Sequence, residues 1–478
     1  MDGGSSGGSE ARFAAYVEAL GAELGHADRQ QPMHDYCLGL LMPIARKSVE
    51  PMAAVTAPAQ VAAKHQSLLH FVGNAPWSDA AMLAKVCELV LPSIERSGPV
   101  EAWIIDDTGF PKKGWHSVGV TRQYCGQLGK QDNCQVAVSL SVANHHASLP
   151  IAYRLYLPED WAKDQVRRDK AKVPEAIAFQ TKPEIALDQI KAARLAGLPE
   201  GVVLMDAGYG NDTELRTEIT ALGLCYAAGI GPNTSVWPLG EAPLPPQSRT
   251  GRGRPQTRLQ RGQHQPISVK TLALGLPQEA WHTITWREGT ADRLASRFAR
   301  QRVRPAHRDT SLSELRAEEW LLIEWPEDET APTKYWFSTL PEDTAFERLA
   351  DLTKLRWRIE RDYQELKQEL GLGDYEGRGW RGFHHHATLC IAAYGFLIAE
   401  RGALPPSGPP LSAPLSRSAI PDGYRPRGAA DPTRAPHPQL DRDHATTPHP
   451  RSRQNPPEMP LLQRADPQDA KNSRLLTQ

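Results

Sequence analysis

Two sets of residues are best suited to chemistry: Arg356, Glu360 and Lys367 in the segment RWRIERDYQELK, and Asp106, Asp107 and Asp206, which close two apolar runs. On a helix, Arg356 lies about 40° from Glu360, and Lys367 falls about 20° from it, at about 100° per residue. A carboxylate flanked by two cations suits a site that holds metal and polyanion together. The same spacing also occurs on solvated helices laced with surface ion pairs. In WIIDD and VVLMD the apolar residues run into Asp106, Asp107 and Asp206, and in an α/β sheet functional groups gather at the carboxyl ends of strands. A single strand-end Asp serves equally well as a helix cap or turn former. If the Glu360 helix packs across the same sheet, three carboxylates meet, which is the oxygen set expected for Mg²⁺ bound together with phosphate. Two such ions about 3.5–4 Å apart activate a water or a 3′-hydroxyl and stabilise the departing oxygen of an in-line phosphoryl displacement.

The elements that must position these groups follow from the hydrophobic pattern. RFAAYVEALGAELG and DAAMLAKVCELVLPSIER space their apolar residues at helical intervals, so residues 11–99 read as an N-terminal helical domain. AWIID, NCQVAVSLSVAN and IAYRLYL read as strands, PEIALDQIKAARLAG as a helix and GVVLMD as a further strand, an α/β arrangement. YAAGI, ISVKTLAL, AWHTITWR, EWLLIEW and KYWFSTL read as strands of a β-rich insertion over 224–340 with basic loops. One continuous helix is expected from about Asp343 to Leu370, with Leu352, Leu355, Ile359, Leu366 and Leu370 as its apolar stripe, and a second over HHHATLCIAAYGFLIAERG. The core thus comprises 100–223 and 341–402, while residues 1–10 and the Pro-rich run 403–478 read as disordered.

With 478 residues, 40% of them hydrophobic, the chain can bury a core of ordinary size. It lacks an apolar run of about 18 residues and a signal-peptide start, so a cytoplasmic protein without a membrane partner is expected. The six cysteines are scattered, with no CxxC pair. A net charge of −1 argues against a polyanionic partner until its distribution is considered. From Arg249 to Arg308 the chain carries thirteen Lys and Arg residues against Glu279, Glu288 and Asp292. This concentrates a basic surface, or a solvated basic loop, in one region.

Asp106, Asp206 and Glu360, with Arg356 and Lys367 in the spacing R-x3-E-x6-K, resemble the acidic triad and helix signature of bacterial insertion-sequence DDE transposases of the YREK branch. The resemblance extends through DDTGFPKKGWHSVGVTRQYCGQLGKQDNCQVAVSL, LPEDWAKD, VLMDAGYGND and LRWRIERDYQELKQELGLGDYEGRGWRGFHHH. It implies a ribonuclease-H-like mixed sheet flanked by helices, interrupted by a β-rich insertion before the Glu. It also implies two Mg²⁺ ions, with Mn²⁺ able to substitute, and double-stranded DNA partners in the form of terminal inverted repeats and target DNA. A homodimer in the synaptic complex is implied as well. Carried over, Asp106, Asp206 and Glu360 are metal ligands, with Asp107 as the alternative to Asp106, while Arg356 and Lys367 hold phosphates. Asp106 is preferred because it precedes Thr108 in a D-x-T pattern and strand alternation sends Asp107 to the other face. The family's Tyr three residues before the Arg is Thr353 here, which can donate to phosphate but not stack.

Lys112, Lys113 and His116 follow the first Asp on a Gly-bearing loop and suit DNA-backbone contact or plain solvation. His384, His385 and His386 point in different directions on a helix, so packing or phosphate contact is expected rather than zinc. Trp325 and Trp336 lie on strand-like runs ahead of the Glu360 helix, where the resemblance implies a Trp that holds a flipped base in some related transposases, but aromatic core packing is the role expected for each. Members of the family continue in a basic helical segment after a GYRPRG-like turn. Here Gly423–Gly428 gives way to the Pro-rich run, which points to a change of reading frame after about Arg427. The competing functions are a metal-dependent nuclease on the same fold and a catalytically inactive, transposase-derived DNA-binding protein.

Overall fold

The computed structural model describes residues 8–246, 257–288 and 293–403, all within one compact unit. Residues 1–7 of the start, residues 404–478 of the tail, and Arg249, Arg252 and Arg254 of the basic stretch lie outside the described residues.

Helices α1 (Ser9–Gly21), α2 (Gln30–Leu41), α3 (Val49–Thr56), α4 (Val61–Gly73) and α5 (Asp79–Arg96) come first. Ser78 caps α5 by accepting from the Ala81 N–H at 3.2 Å. Met82, Val86, Val90 and Ile94 recur every four residues on its buried face. That face meets the last described helix at Gly395, where an added Cβ would stand 2.9 Å from Val90.

Next come β1 (Ala102–Pro111), β2 (Thr121–Cys125), β3 (Lys130–Ala143) and β4 (Ser148–Leu155), then α6 (Glu159–Lys163), α7 (Gln165–Ala171) and α8 (Lys182–Leu195). β5 (Val202–Met205), α9 (Ala207–Gly210), α10 (Thr213–Ala221) and β6 (Tyr226–Ile230) follow. Strands β1, β5 and β6 are parallel neighbours, while β3 pairs antiparallel with β1, β2 and β4. After β7 (Ser235–Trp237), β8 (Ile267–Ser268), α11 (Val269–Leu274), β9 (His282–Glu288) and β10 (Arg293–Pro305) come β11 (Glu319–Trp325) and β12 (Lys334–Ser338). Because β12 pairs antiparallel with β6, these strands extend the same mixed sheet, in the order β2-β3-β1-β5-β6-β12-β11-β10-β7-β8. The chain then forms α12 (Phe346–Lys354), α13 (Trp357–Gln368) and α14 (Trp380–Ala403). The result is an α/β, ribonuclease-H-like sheet flanked by helices.

Alternation along β1 divides the two faces. Trp103 and Ile105 join the large core that contains α8, α14 and the first helices, whereas Ala102 and Ile104 join Leu204, Ala227, Leu355, Ile359 and Tyr363 beneath α13. Each such fully buried aliphatic side chain contributes about 1.5–3 kcal/mol. The expected stripe Leu352, Leu355, Ile359, Leu366 and Leu370 is buried throughout.

Three local expectations change. β1 does not end at its acids but continues through Thr108, Gly109, Phe110 and Pro111, because β3 supplies ladder partners as far as Pro111↔Cys134. ISVKTLAL is mostly helix: the Ser268 hydroxyl accepts from the Thr271 N–H at 3.0 Å, and Val269, Leu272 and Ala273 are buried at helical spacing. The long helix is two, parted by a tightened turn in which the Leu355, Arg358 and Ile359 N–H groups bond three residues back.

Candidate active site

Register sets the first two carboxylates side by side. Ile104 pairs with Leu204 across the parallel β1–β5 ladder, and Asp106 and Asp206 each stand two residues further on, past the end of β5. Both share the face of Ile104 and Leu204, the face covered by α13. Asp206 also caps α9, its Oδ1 accepting from the Gly208 and Tyr209 N–H groups at 2.9 and 3.3 Å. α9 lies hard against β6: a Cβ on Gly210 would stand 2.0 Å from the Gly229 carbonyl oxygen, so glycine is required there.

Asp107 points the other way. Its Oδ2 accepts from Lys182 of α8 at 2.8 Å and from the Tyr209 hydroxyl at 3.3 Å. Neither partner carried a sequence signal; Lys182 opens α8, which the structure shows capped by a Thr181–Glu184 capping box.

Arg356 joins the first and third carboxylates. Its guanidinium donates to Asp106 Oδ2 and to Glu360 Oε1, both at 2.7 Å. The Asp106 side chain is only 17% exposed and that of Glu360 64%. Burial pushes the Asp106 carboxyl up to about 7; Arg356 opposes this and Asp206 adds to it. α13 is fixed from behind by Asp362, whose Oδ1 accepts from Ser148 Oγ at 2.5 Å and Tyr394 Oη at 2.9 Å. α12 is fixed by Lys354, which donates to both oxygens of buried Glu324 on β11 at 2.9 and 3.0 Å. Lys367 lies further along α13, its Nζ donating to the Gly109 carbonyl at 2.8 Å and to Gln127 Oε1 at 3.3 Å. Burial lowers its ammonium to about 8.

The remaining candidates separate. Thr353 is 4% exposed, at the wall of the cleft that also holds Asp206 and Glu360, and its hydroxyl donates to the Leu349 carbonyl at 2.7 Å. Lys112 donates to the Tyr375 carbonyl at 3.0 Å, whereas Lys113 and His116 are exposed. The three histidines are buried: His384 bonds Trp380 O, His385 bonds Val72 O and Trp77 O, and His386 bonds Tyr36 Oη and Gly371 O. Trp325 packs edge-on against Trp281 under Arg297. Trp336 instead lines a cleft of about 410 Å³ with Asp206, Lys334, Arg356, Trp357 and Glu360.

Among the described residues no three His, Cys, Asp or Glu side chains converge closely enough to form a ready metal cluster. Asp106, Asp206 and Glu360 nevertheless fit a hard divalent cation by donor type, since all are oxygen ligands and a cationic group already bridges two of them.

The mixed sheet flanked by helices agrees with the family whose model matches this chain. A family model described as DDE superfamily endonuclease matches residues 19–293, more than half of the chain, and the chain belongs to that family. The matched span contains Asp106 and Asp206 and stops before Glu360. Endonucleases of this superfamily generally use divalent metal ions. Over 200 residues the chain is 29% identical to the "Probable transposase for insertion sequence element IS701" of Microchaete diplosiphon. That similarity covers 42% of this chain and 48% of the relative, so the chain spans about half the length of the curated relative it matches. None of the described helices is long and apolar enough to cross a membrane.

Proposed function

We propose that this chain is a DNA transposase that cuts the ends of an insertion sequence and joins them to target DNA. The observation that carries the reading is the Arg356 bridge: Asp106 and Glu360, far apart in sequence, meet one cation beside Asp206 on a surface open to solvent. Asp106, Asp206 and Glu360 would hold two Mg²⁺ ions, with Mn²⁺ able to substitute, and the ions would supply Lewis-acid activation of the attacking and departing oxygens. Asp106 and Asp206 define the floor of the site, and Glu360 closes it from the α13 side. Arg356 and Lys367, on α13, hold the phosphates flanking the scissile bond, with Lys112 and Lys113 contacting the backbone further along. Thr353 leaves this set, because its hydroxyl is already bonded within α12.

The R-x3-E-x6-K spacing supports assignment to the YREK branch. Residues 11–99 and the insertion 224–340 would bind terminal inverted repeats, and two chains would pair the two ends in a homodimeric synapse. A DNA-cutting and DNA-joining protein of this kind works in the cytoplasm. The test is incubation of the full chain with Mg²⁺ and duplexes carrying the element's own ends, followed by a strand-transfer reaction with ends already bearing a free 3′-hydroxyl. Nicking at the ends and joining to a target plasmid are expected. Nicking without joining would replace this reading with that of a nuclease, and neither would leave a DNA-binding protein.

A further inference from the structure

Between Asp107 and Asp132 the chain carries Lys112, Lys113, Arg122 and Lys130 and no carboxylate. Two large aromatic side chains in this stretch, Trp115 and Tyr124, are 60% and 59% exposed. The Trp115 loop is fastened at both ends. The Lys112 N–H donates to Asn133 O at 2.9 Å and the Val118 N–H to Arg378 O at 3.0 Å. Asn133 Nδ2 donates to the Lys112 and Gly114 carbonyls, both at 2.8 Å.

Asn133 also places the loop relative to the hairpin. It stands opposite Arg122 in the β2–β3 ladder. Directly opposed residues of an antiparallel pair share a face, and Tyr124, two residues on, shares it too. The loop is therefore tied over the face that presents Arg122 and Tyr124. The same hairpin touches the helix of Glu360, because Lys367 reaches both Gly109 and Gln127. At about 3.3 Å per residue, Pro111, where β1 gives way to this loop, lies about 17 Å along the strand from Asp106.

Rings held out into water on an anchored loop contribute nothing to the core, and the cations beside them match a polyanion. A nucleic-acid base offers its face to such rings only when it is unpaired. We propose that the loop 112–118 and the β2–β3 hairpin form a binding surface for single-stranded DNA beside the carboxylate site, stacking unpaired bases on Trp115 and Tyr124 while Lys113 and Arg122 contact the backbone. That the strand belongs to DNA being cut rests on the proposed function; the binding itself does not.

The test uses the full chain, a chelator to prevent cutting, and fluorescence anisotropy with labelled oligo-dT and with a blunt duplex. The double variant Trp115→Ala, Tyr124→Ala is expected to keep its melting temperature, because both side chains are exposed. It should lose about tenfold to hundredfold in affinity for oligo-dT and less than about twofold for the duplex. Phe at both positions should restore most of the loss. Equal loss on both DNAs would overturn the proposal in favour of a duplex contact, and no loss on either would overturn it outright. A chain that binds oligo-dT through these rings yet cuts no DNA keeps this inference and loses the proposed function. A chain that cuts while its double variant binds normally does the reverse.

Discussion

Replacing Arg356 by Ala removes the one guanidinium that joins Asp106 to Glu360, and the two halves of that bridge have unequal weight. Glu360 is 64% exposed, so water replaces its partner and the loss there is about 0–1 kcal/mol. Asp106 is only 17% exposed and neighbours Asp206, so a charged carboxylate left alone would cost about 3–5 kcal/mol. It has an escape, however, because burial already pushes it up to about 7, and without Arg356 it takes a proton near neutrality. The loss then reduces to one hydrogen bond between charged groups, about 1.5–3 kcal/mol, for a total near 2 kcal/mol. That corresponds to a fall in melting temperature of about 3–6 °C, allowing for a unit larger than the domains that move about 2–4 °C per kcal/mol. Divalent metal should affect the two proteins differently. In the wild type a cation must displace the guanidinium from Asp106, whereas in the variant it displaces only a proton that titrates near neutrality, and it stabilises by about 2.7 kcal/mol at a hundredfold excess over its Kd. The assay is thermal melting without DNA, with and without Mn²⁺. A variant as stable as the wild type without metal, or one that gains no more from Mn²⁺ than the wild type does, would refute the reasoning.

Asp106→Asn should abolish cleavage, whereas Asp107→Asn, whose amide oxygen still accepts from Lys182 and Tyr209, should stay within about tenfold, or about 1.4 kcal/mol of barrier. Equal effects in a nicking assay would contradict the division of roles between the two faces of β1. Gly210→Ala forces α9 away from the Gly229 carbonyl and should cost about 1–3 kcal/mol together with cleavage activity, since α9 carries Asp206 as its cap; an unchanged melting temperature would contradict this. His386 accepts from Tyr36 and donates to Gly371, an arrangement that needs the neutral ring, and burial lowers its pKa to about 4. The unfolded chain, titrating near 6.5, binds more protons between these values. The stability this ring contributes is therefore retained above about pH 6.5 and falls as pH drops toward 4, by about 1.4 kcal/mol per unit, while Asp106, raised to about 7, acts in the opposite sense. A denaturant midpoint that shifts by the same amount between about pH 7 and pH 5 in the wild type and in His386→Asn would contradict that.

Much of the site was legible because it rests on short periods. Strand alternation alone separates Asp106 from Asp107, and helical spacing alone puts Arg356 beside Glu360, as their 2.7 Å contact shows. What sequence could not supply was contact between distant segments. The Arg356–Asp106 and Lys182–Asp107 pairs join residues 250 and 75 positions apart, and no local pattern encodes either. The extension of β1 through Thr108, Gly109, Phe110 and Pro111 was hidden for a related reason: a strand with glycine and proline near its end persists when β3 supplies the ladder partners. In ISVKTLAL the β-branched residues mask a helix that a single serine cap initiates. The parting of α12 from α13 leaves no mark either, since the apolar stripe runs unbroken from Leu352 through Leu355 to Ile359. Thr353 shows a different limit. A motif position gave its residue type, but only the packing shows its hydroxyl already spent on Leu349.

The central claim, that Asp106, Asp206 and Glu360 form one metal-dependent DNA-cutting site, is tested most directly at Glu360. This side chain is 64% exposed and bonded to Arg356, so Glu360→Gln retains a polar group of the same shape and should melt with the wild type. The measurement is Mg²⁺- or Mn²⁺-dependent nicking of duplexes carrying the element's own ends, by the wild type and by Glu360→Gln side by side. The account predicts metal-dependent cleavage by the wild type and none by the folded variant. Full cleavage by Glu360→Gln would contradict it.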